Sequence, residues 1–218
     1  MMLRPLGALM ATPEIGSILV LTQNPDDLRH VVPNDPRVAL RSSQGTIAQT
    51  LGDLIADPKT TYPILVTTAD HALLDRSMIG EFIEEADGAD LSIAVVERAR
   101  LMGRFPYAKR TWIGFRGGSY SGANLFAFGS RKALAAIELW RAVEQDRKKG
   151  LAVLSVLGPM LFLGALLRIR TIDQSASAIA RRLGITVRIA QMSNPIAAVD
   201  VDKIEDHAMV EAIIAGRA

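Results

Sequence analysis

The sequence contains no cysteine, which excludes disulfide bonds, thiolate metal sites, iron–sulfur clusters and a cysteine nucleophile. Aromatic residues make up only 5%, and the formal net charge is +2, from 25 basic and 23 acidic residues. This balance predicts no nucleic-acid partner, because nucleic-acid binding requires a clustered basic surface. The sequence also lacks G-x-G-x-x-G, a complete P-loop, G-x-S-x-G and H-E-x-x-H. The commonest signatures of dinucleotide-binding proteins, P-loop NTPases, serine hydrolases and zinc proteases are therefore missing.

Long hydrophobic runs are also rare. Residues 151–167 carry no charge, but Gly158-Pro159 divides this run in the middle, and it is shorter than the ~20 residues of a typical spanning helix. We therefore expect a buried helix pair or a kinked helix in this run, with helix at 153–167, and no integral membrane segment. A membrane-surface patch is the alternative. Pro5 and Gly7 interrupt the N-terminal apolar patch, so no export signal is predicted and a cytoplasmic location is expected.

The 218 residues, 49% of them hydrophobic, predict a single domain covering residues 1–218. Short runs rich in Val, Ile and Leu alternate with stretches of helical period, a pattern typical of an α/β fold with a mostly parallel sheet. The apolar runs at 18–21 and 64–66 lack polar alternation, which indicates central strands with helices on both faces. The predicted strands are 17–22, 37–41, 63–68, 91–96, 123–128 and 186–190. The predicted helices are 6–11, 46–56, 75–86, 131–145, 153–167, 174–183 and 204–215.

Carboxylates follow the predicted strands at two places. Asp70 comes directly after the strand at 63–68, at the carboxyl end where ligands bind in open α/β sheets. Asp200 and Asp202 alternate near the C-terminus and would face the same way in an extended segment. Carboxylate oxygens are the ligands that Mg²⁺ prefers. The residues alone leave a structural alternative at each place: Asp70 as a helix N-cap, and Asp202 with Glu205 as a capping box.

Two polar turns are weaker candidates for binding. Gln44, Gly45 and Thr46 lie between a predicted strand and a helix, where their amide and hydroxyl groups are suited to a base or a sugar, although Thr46 is equally suited to cap the helix. The Gly- and Ser-rich residues 117–122 precede the strand at 123–128. Glycines allow a close approach of the backbone to a ligand, but the same residues are typical of an ordinary loop.

Three segments, taken in order, resemble one enzyme family. They are P-I-L-V-T-T-A-D-H-A-L-L (63–74), S-G-A-N-L-F-A-F (121–128) and V-D-V-D-K-I-E-D (199–206). Together they resemble the nucleotidyltransferases with a molybdenum-cofactor-guanylyltransferase-like domain, over nearly the whole chain from residue 6 onward. The resemblance implies a Rossmann-like, three-layer α/β/α sandwich of the GT-A-like type. It also implies an enzyme that transfers NMP from a nucleoside triphosphate to a small phosphorylated acceptor, with Mg²⁺ as cofactor and release of pyrophosphate.

The resemblance further implies roles for individual residues. Asp70 and Asp202 would be catalytic metal ligands, with Asp200 as a further ligand. The nucleotide-binding positions would be Gln44, Gly45, Thr46 and Ala69. The acceptor-binding positions would be Ser121, Gly122, Ala123 and Asn124.

The family's opening strand and its L-A-G-G-x-G-x-R loop have no counterpart in this sequence. We expect that this unit either is encoded upstream of the present sequence or has been lost. Two other function classes therefore stay open: a non-catalytic nucleotide-binding or partner module, and a GT-A glycosyltransferase. The sequence also leaves homo-oligomerisation open.

Overall fold

A computed structural model of the chain describes residues 1–86, 88–145 and 168–216. The strands within these residues are β1 (Ile18–Thr22), β2 (Val38–Ser42), β3 (Ile64–Thr67), β4 (Leu91–Glu97), β5 (Ile113–Phe115), β6 (Gly118–Phe128) and β7 (Val187–Gln191). The α-helices are α1 (Leu3–Met10), α2 (Pro25–Leu28), α3 (Ile47–Ala56), α4 (Arg76–Glu85), α5 (Arg98–Arg104), α6 (Leu134–Gln145), α7 (Ile172–Leu183) and α8 (Ile204–Ile214). Short 3₁₀ helices span Arg131–Ala133 and Pro195–Ala198. The helix predicted at 153–167 lies outside the described residues.

The strands form two hydrogen-bonded sheets. β1 and β2 make a parallel pair, in register from Ile18 opposite Val38 to Thr22 opposite Ser42. The larger sheet has the order β3-β6-β4-β7, and β5 pairs with β6. Within it β4 and β7 are parallel, whereas β6 runs antiparallel to β3, β4 and β5. β3, β4 and β7 therefore share one direction, and β6 runs between β3 and β4 in the opposite direction.

All six predicted strands are present, and the predicted α/β class is confirmed. The sheet is mixed because β5 and β6 form a hairpin that reverses the chain before β6 enters the sheet. Phe115 pairs with Gly118, so the turn consists of Arg116 and Gly117 alone. Gly117 has φ 97°, a conformation that favours glycine and is usual in two-residue hairpin turns. The Gly- and Ser-rich segment is therefore mainly strand, and β6 begins five residues before the predicted position at 123.

A hydrophobic core lies on each face of the larger sheet. Alternate residues of β3 divide between the two cores, with Leu65 in one and Ile64 and Val66 in the other. The core that contains Leu65 also takes side chains from α1, α4, α5 and α8. The core on the opposite face takes side chains from α3, α6 and α7. Helices thus cover both faces of the sheet, as the predicted three-layer α/β/α arrangement requires.

The helix boundaries follow local capping chemistry. Thr46, Asp75 and Thr171 each accept a backbone hydrogen bond as N-caps of α3, α4 and α7. Gly184 ends α7 in the left-handed conformation. α1 begins at Leu3 rather than at the predicted residue 6, because Pro5 falls in the first turn, where its missing N–H has no intrahelical partner to lose. Among the helices of the described segments, none has the length and apolar character needed to cross a bilayer.

Candidate functional site

The candidate site lies at the carboxyl end of β3. Asp70 follows the strand by three residues, and its carboxylate accepts a hydrogen bond from the Thr68 hydroxyl. The C-terminal segment passes alongside, because the Val201 N–H donates to the Asp70 carbonyl at 3.2 Å. The structure therefore brings Asp70 next to the segment that carries Asp200 and Asp202.

Asp200 is the most constrained carboxylate of this group. One carboxylate oxygen pairs with the Arg110 guanidinium, and the other accepts from Asn124 Nδ2 at 2.8 Å. Arg110 also donates to the Asp200 carbonyl at 2.9 Å. The side chains of Arg110 and Asp200 are only 6% and 22% exposed. Because both oxygens already have a partner, Asp200 is better suited to fix the segment than to act as a principal metal ligand.

Asn124 reaches Asp200 because β6 is irregular at that point. In the pairing with β4, Ile93 lies opposite Phe126 and Val95 opposite Gly122, so β6 has extra residues between two positions of its partner. Asn124 adopts φ 48°, a left-handed conformation that asparagine tolerates better than most residues. The bulge at the end of β3 thus presents the Asn124 amide to the acidic segment.

Asp202 is exposed and lies in the field of other carboxylates. Asp200 has the largest effect in raising the pKa of Asp202, followed by partial desolvation and the charge of Asp70, while Arg110 acts in the opposite direction. A raised pKa means that the negative charge of this group is only partly compensated by its surroundings. A bound cation would supply the missing compensation.

The two capping alternatives are wrong. The N-cap of α4 is Asp75, which accepts from Met78 N at 2.8 Å, and not Asp70. α8 begins one residue later than the predicted capping box requires, so its N-cap is Lys203. The capping carboxylate is accordingly Asp206, which accepts from Lys203 N at 3.0 Å. This leaves the side chains of Asp70 and Asp202 available for another role.

The predicted nucleotide-binding turn is not part of this cluster. Gln44, Gly45 and Thr46 are exposed and follow the carboxyl end of β2. Gly45 has φ 94°, and the Thr46 hydroxyl accepts from Gln49 N at 3.2 Å, so Thr46 does cap α3. Within the described residues, no hydrogen bond or ion pair joins this turn to the three aspartates. Its contact with a nucleotide stays a prediction, as does that of Ala69, which is exposed beside Asp70.

The four predicted acceptor positions differ in what they present. Asn124 contacts the acidic cluster directly. Gly122 is exposed, whereas Ser121 and Ala123 are buried at 9% and 1% exposure. Ala123 belongs to the core shared with α4 and α5, so its side chain faces that core rather than the site. Within this group Asn124 contacts the acidic cluster and Gly122 is exposed, and the acceptor-binding role of all four positions stays a prediction.

Two buried residues near the site were not predicted. His71 is fully buried, with Nδ1 3.4 Å from the Thr67 hydroxyl. Desolvation lowers the pKa of His71 to about 4 against the opposing charges of Asp200 and Asp70, so the ring is neutral near pH 7. The Arg110 side chain is only 6% exposed, although in the sequence it is one of two adjacent basic residues, Lys109 and Arg110. No local signal distinguishes Arg110, because its partner lies 90 residues away.

The carboxylate oxygens of Asp70 and Asp202 are donors that suit a hard cation with few protein ligands. The described part of the chain contains no group of three or more His, Cys, Asp or Glu side chains arranged to hold a metal ion. Mg²⁺ commonly takes one or two carboxylates and completes its shell with phosphates and water, so Asp70 and Asp202 stay the predicted ligands.

No protein-family model matches the chain, and no curated protein matches its sequence. Solved structures do match. A hypothetical transferase from Thermus thermophilus superposes with a TM-score of 0.78 at 27% identity, over 94% of this chain and 85% of that one. A 4-diphosphocytidyl-2C-methyl-D-erythritol synthase from Anaerococcus prevotii gives 0.57 at 10% identity, over 98% and 85%. A 2-C-methyl-D-erythritol 4-phosphate cytidylyltransferase from Francisella tularensis gives 0.52 at 12% identity, over 96% and 86%.

The chain has the fold of cytidylyltransferases. The predicted class, a nucleotidyltransferase-type α/β sandwich, is confirmed by these similarities. The two structures near 10% identity establish the fold and no more. The finer assignment to molybdenum-cofactor guanylyltransferases stays a prediction.

Proposed function

We propose that this protein is a nucleotidyltransferase that transfers NMP from a nucleoside triphosphate to a small phosphorylated acceptor. The observation that carries the proposal is the pair formed by Asp70, at the carboxyl end of β3, and Asp202, whose pKa is raised by neighbouring carboxylates. Ligands bind at this edge in open α/β sheets. The similarity to a transferase at 27% identity also supports it.

Asp70 and Asp202 would hold Mg²⁺ in this proposal. The bound ion would neutralise phosphate charge and help to orient the triphosphate. Asp200 acts as a positioning residue. Arg110 and Asn124 hold it on both oxygens, and this fixes the backbone two residues before Asp202. The arrangement therefore sets the separation of the Asp70 and Asp202 carboxylates through contacts of Asp200 that are largely buried.

The reaction requires no strong base from the protein. An oxygen of the acceptor phosphate forms the new bond to the α-phosphorus, while the bond from the α-phosphorus to the oxygen bridging to the β-phosphate breaks. The electron pair of that bond leaves with pyrophosphate. The acceptor phosphate is already largely ionised near neutral pH, so positioning and charge neutralisation provide most of the rate enhancement. A buried, neutral His71 is compatible with this requirement.

The test is pyrophosphate release with ATP, GTP, CTP and UTP, each offered with a panel of sugar and polyol phosphates, in Mg²⁺ and in EDTA. We expect release with one nucleotide, dependent on both Mg²⁺ and an acceptor. Asp70→Asn should lower it about 10³-fold, whereas Asp53→Asn, which alters an exposed carboxylate on α3, should leave it unchanged. Release that is equal in EDTA or in Asp70→Asn would contradict the proposal.

Two further outcomes distinguish the other function classes. Turnover of a preformed sugar nucleotide without any triphosphate would indicate a glycosyltransferase. Saturable binding of a triphosphate without turnover under any of these conditions would indicate a non-catalytic module.

A further inference from the structure

A cavity of about 600 Å³ lies where the β5–β6 hairpin meets α7. Arg116, in the turn of the hairpin, donates its backbone N–H to the Arg170 carbonyl at 2.9 Å. The Arg116 guanidinium donates to Gln174 Oε1 at 3.3 Å, and the same oxygen accepts from Thr171 N in the capping box of α7. The hairpin turn is thus fixed to the first turn of α7, and this contact holds the Arg116 side chain at the cavity.

Three arginine side chains line this cavity. Arg116 comes from the hairpin, Arg170 from the segment before α7, and Arg181 from the last turn of α7. Arg116 and Arg181 are exposed, and Arg170 is half-buried. Within residues 1–86, 88–145 and 168–216, none of these three guanidinium groups forms an ion pair, whereas four other arginines each pair with a carboxylate: Arg29, Arg37, Arg110 and Arg188. Because like charges that face one cavity add to its positive potential, the cavity attracts anions.

The sequence around the cavity has an excess of positive charge that the whole chain lacks. The chain contains 25 basic and 23 acidic residues, but residues 113–120 and 168–182 together contain one acidic residue, Asp173, and five arginines. Residues 147–167 contain three basic residues and no acidic one, so that segment has no carboxylate to pair with these arginines. The positive charge is therefore concentrated at this place and is only partly offset by Asp173.

The donors of the cavity suit phosphate groups. A guanidinium has five N–H donors in a planar fork that matches phosphate oxygens, and Arg116 uses one of them for Gln174. Gln174, Ser177 and Arg181 all line the cavity, and their spacing of three and four residues places them on one face of α7. Gln174 and Arg181 are separated by about 10 Å along the helix axis. This length favours a ligand with more than one phosphate group.

The cavity is separate from the candidate site. None of its lining residues belongs to the cluster of Asp70, Asp200 and Asp202 or contacts it by a hydrogen bond or ion pair. Arg116 precedes Asn124, which contacts Asp200, by eight residues, or up to about 26 Å of extended strand. The two places also differ in charge, because the aspartate cluster requires a cation to approach a phosphate and the cavity does not.

We propose that this cavity, the arginine cavity, binds a small ligand that carries two or more phosphate groups, and does so without a metal ion. Arg116, Arg170 and Arg181 bind the phosphate oxygens, and the Ser177 hydroxyl supplies a further donor. The excess of arginine is confined to one cavity, whereas nucleic-acid binding uses an extended basic surface, so the ligand is a small molecule. The proposal does not depend on the proposed function.

Calorimetric titration with pyrophosphate tests the arginine cavity. EDTA is present throughout, so that no metal ion draws pyrophosphate to the aspartate cluster. We expect saturable binding by the wild type, weakened at least tenfold in Arg170→Gln/Arg181→Gln because the charge-assisted hydrogen bonds of two arginines are lost. Arg188→Gln changes a 59% exposed arginine on β7, outside the cavity, and should leave the affinity unchanged. An absence of saturable binding overturns the proposal, as does an equal affinity of the double variant and the Arg188→Gln control.

A variant that strengthens binding guards against misfolding as the cause of a loss. Asp173 is exposed and is the acidic residue that lines the cavity. Asp173→Asn removes its repulsion of the ligand and should tighten pyrophosphate binding at least threefold. Asp53→Asn, which removes the same charge from an exposed position on α3, is the matched control and should have no effect. Unchanged or weaker binding in Asp173→Asn overturns the proposal.

A comparison of ligands tests the predicted class. We expect pyrophosphate to bind the wild type at least tenfold more tightly than inorganic phosphate or sulfate, because only a diphosphate reaches donors along the length of the cavity. Equal affinities for pyrophosphate and phosphate overturn the assignment of a ligand with two phosphate groups. Tighter binding of a twelve-residue oligothymidylate than of pyrophosphate, lost in Arg170→Gln/Arg181→Gln, would assign the arginines to nucleic acid and also overturn the proposal.

Discussion

Acidic side chains at the two ends of the sheet have opposite electrostatic environments. At the amino end of β4, the carboxylate of Asp90 accepts hydrogen bonds from the Ser130 hydroxyl and from both the N–H and the hydroxyl of Thr186. These donors lower the pKa of Asp90. At the carboxyl end of β3, the charges of Asp200 and Asp70 raise the pKa of Asp202.

The opposite pKa shifts of Asp90 and Asp202 distinguish a structural carboxylate from a candidate binding residue. Asp90 joins the start of β4 to residues that precede α6 and β7, and its charge is stabilised by folding. Asp202 carries a charge that folding does not stabilise. Perturbed carboxylates of this kind cluster at functional sites. The comparison therefore indicates a stabilising role for Asp90 and supports the proposal that Asp202, with Asp70 beside it, binds a ligand.

The largest expected effect is the loss of activity in Asp70→Asn. Removal of a carboxylate that holds Mg²⁺ takes away several kcal/mol of charge stabilisation, so pyrophosphate release should fall about 10³-fold. The melting temperature should change little, because Asp70 caps no helix. Steady-state kinetics measures the rate of pyrophosphate release, and thermal denaturation measures the melting temperature. A loss of stability with normal turnover would assign Asp70 to the structure and remove the contrast with Asp90.

Arg110→Met should give the largest loss of stability. It leaves Asp200 without its cation in a place that is only partly open to solvent, and breaking a buried pair costs about 3 to 5 kcal/mol. Because Asp200 is 22% exposed, we expect about 2 to 3 kcal/mol in the free energy of unfolding measured with urea. Lys109→Met, at the exposed neighbouring residue, is the control and should be nearly neutral. Equal effects of the two substitutions would show that the ion pair is unimportant.

Asp90→Ala should cost about 1 to 2 kcal/mol near pH 7, the contribution of hydrogen bonds to a partly exposed carboxylate. The pKa of Asp90 is lowered in the folded chain, so this contribution is fully present above the unfolded pKa of about 4 and is lost as the pH falls through the folded value. Urea denaturation between pH 7 and pH 3 should show the difference from the wild type shrinking. A difference independent of pH would mean that the charge of Asp90 is not responsible.

Asp202→Asn should have the smallest effect on stability. The raised pKa means that the charged form is disfavoured by folding, so in EDTA near pH 7 the variant should be as stable as the wild type or more stable by up to about 0.5 kcal/mol. As the pH falls through the folded pKa of Asp202, this advantage should disappear. With Mg²⁺ and the accepted nucleotide, the wild type should become more stable than Asp202→Asn. Melting curves under these conditions test the sign, and a clear destabilisation in EDTA would contradict it.

Most of the fold was predictable because short apolar runs in the sequence indicate strands of the sheet. The runs at 17–22, 63–68 and 91–96 correspond closely to β1, β3 and β4. The direction of β6 was not predictable, since it depends on the two-residue turn after β5, a strand too short to give a periodic signal. The sequence also predicted β1 and β3 as central strands, whereas each pairs with one strand among the described residues.

The candidate site was predictable only in part. Asp70 and Asp202 follow from their positions relative to strands and from the family resemblance. The contacts of Arg110 and Asn124 with Asp200 join residues 90 and 76 positions apart, and no local pattern encodes them. The capping role of Asp206 depended on the exact start of α8, which a shift of one residue changes.

The central claim is that Asp70 and Asp202 together bind a divalent cation with a nucleoside triphosphate. Calorimetric titration of the four triphosphates into the wild type and the Asp70→Asn/Asp202→Asn double variant, in Mg²⁺ and in EDTA, tests it most directly. We predict saturable binding of one triphosphate by the wild type in Mg²⁺, weakened at least tenfold by EDTA or by the double substitution. Binding of the same affinity under all four conditions would contradict the account.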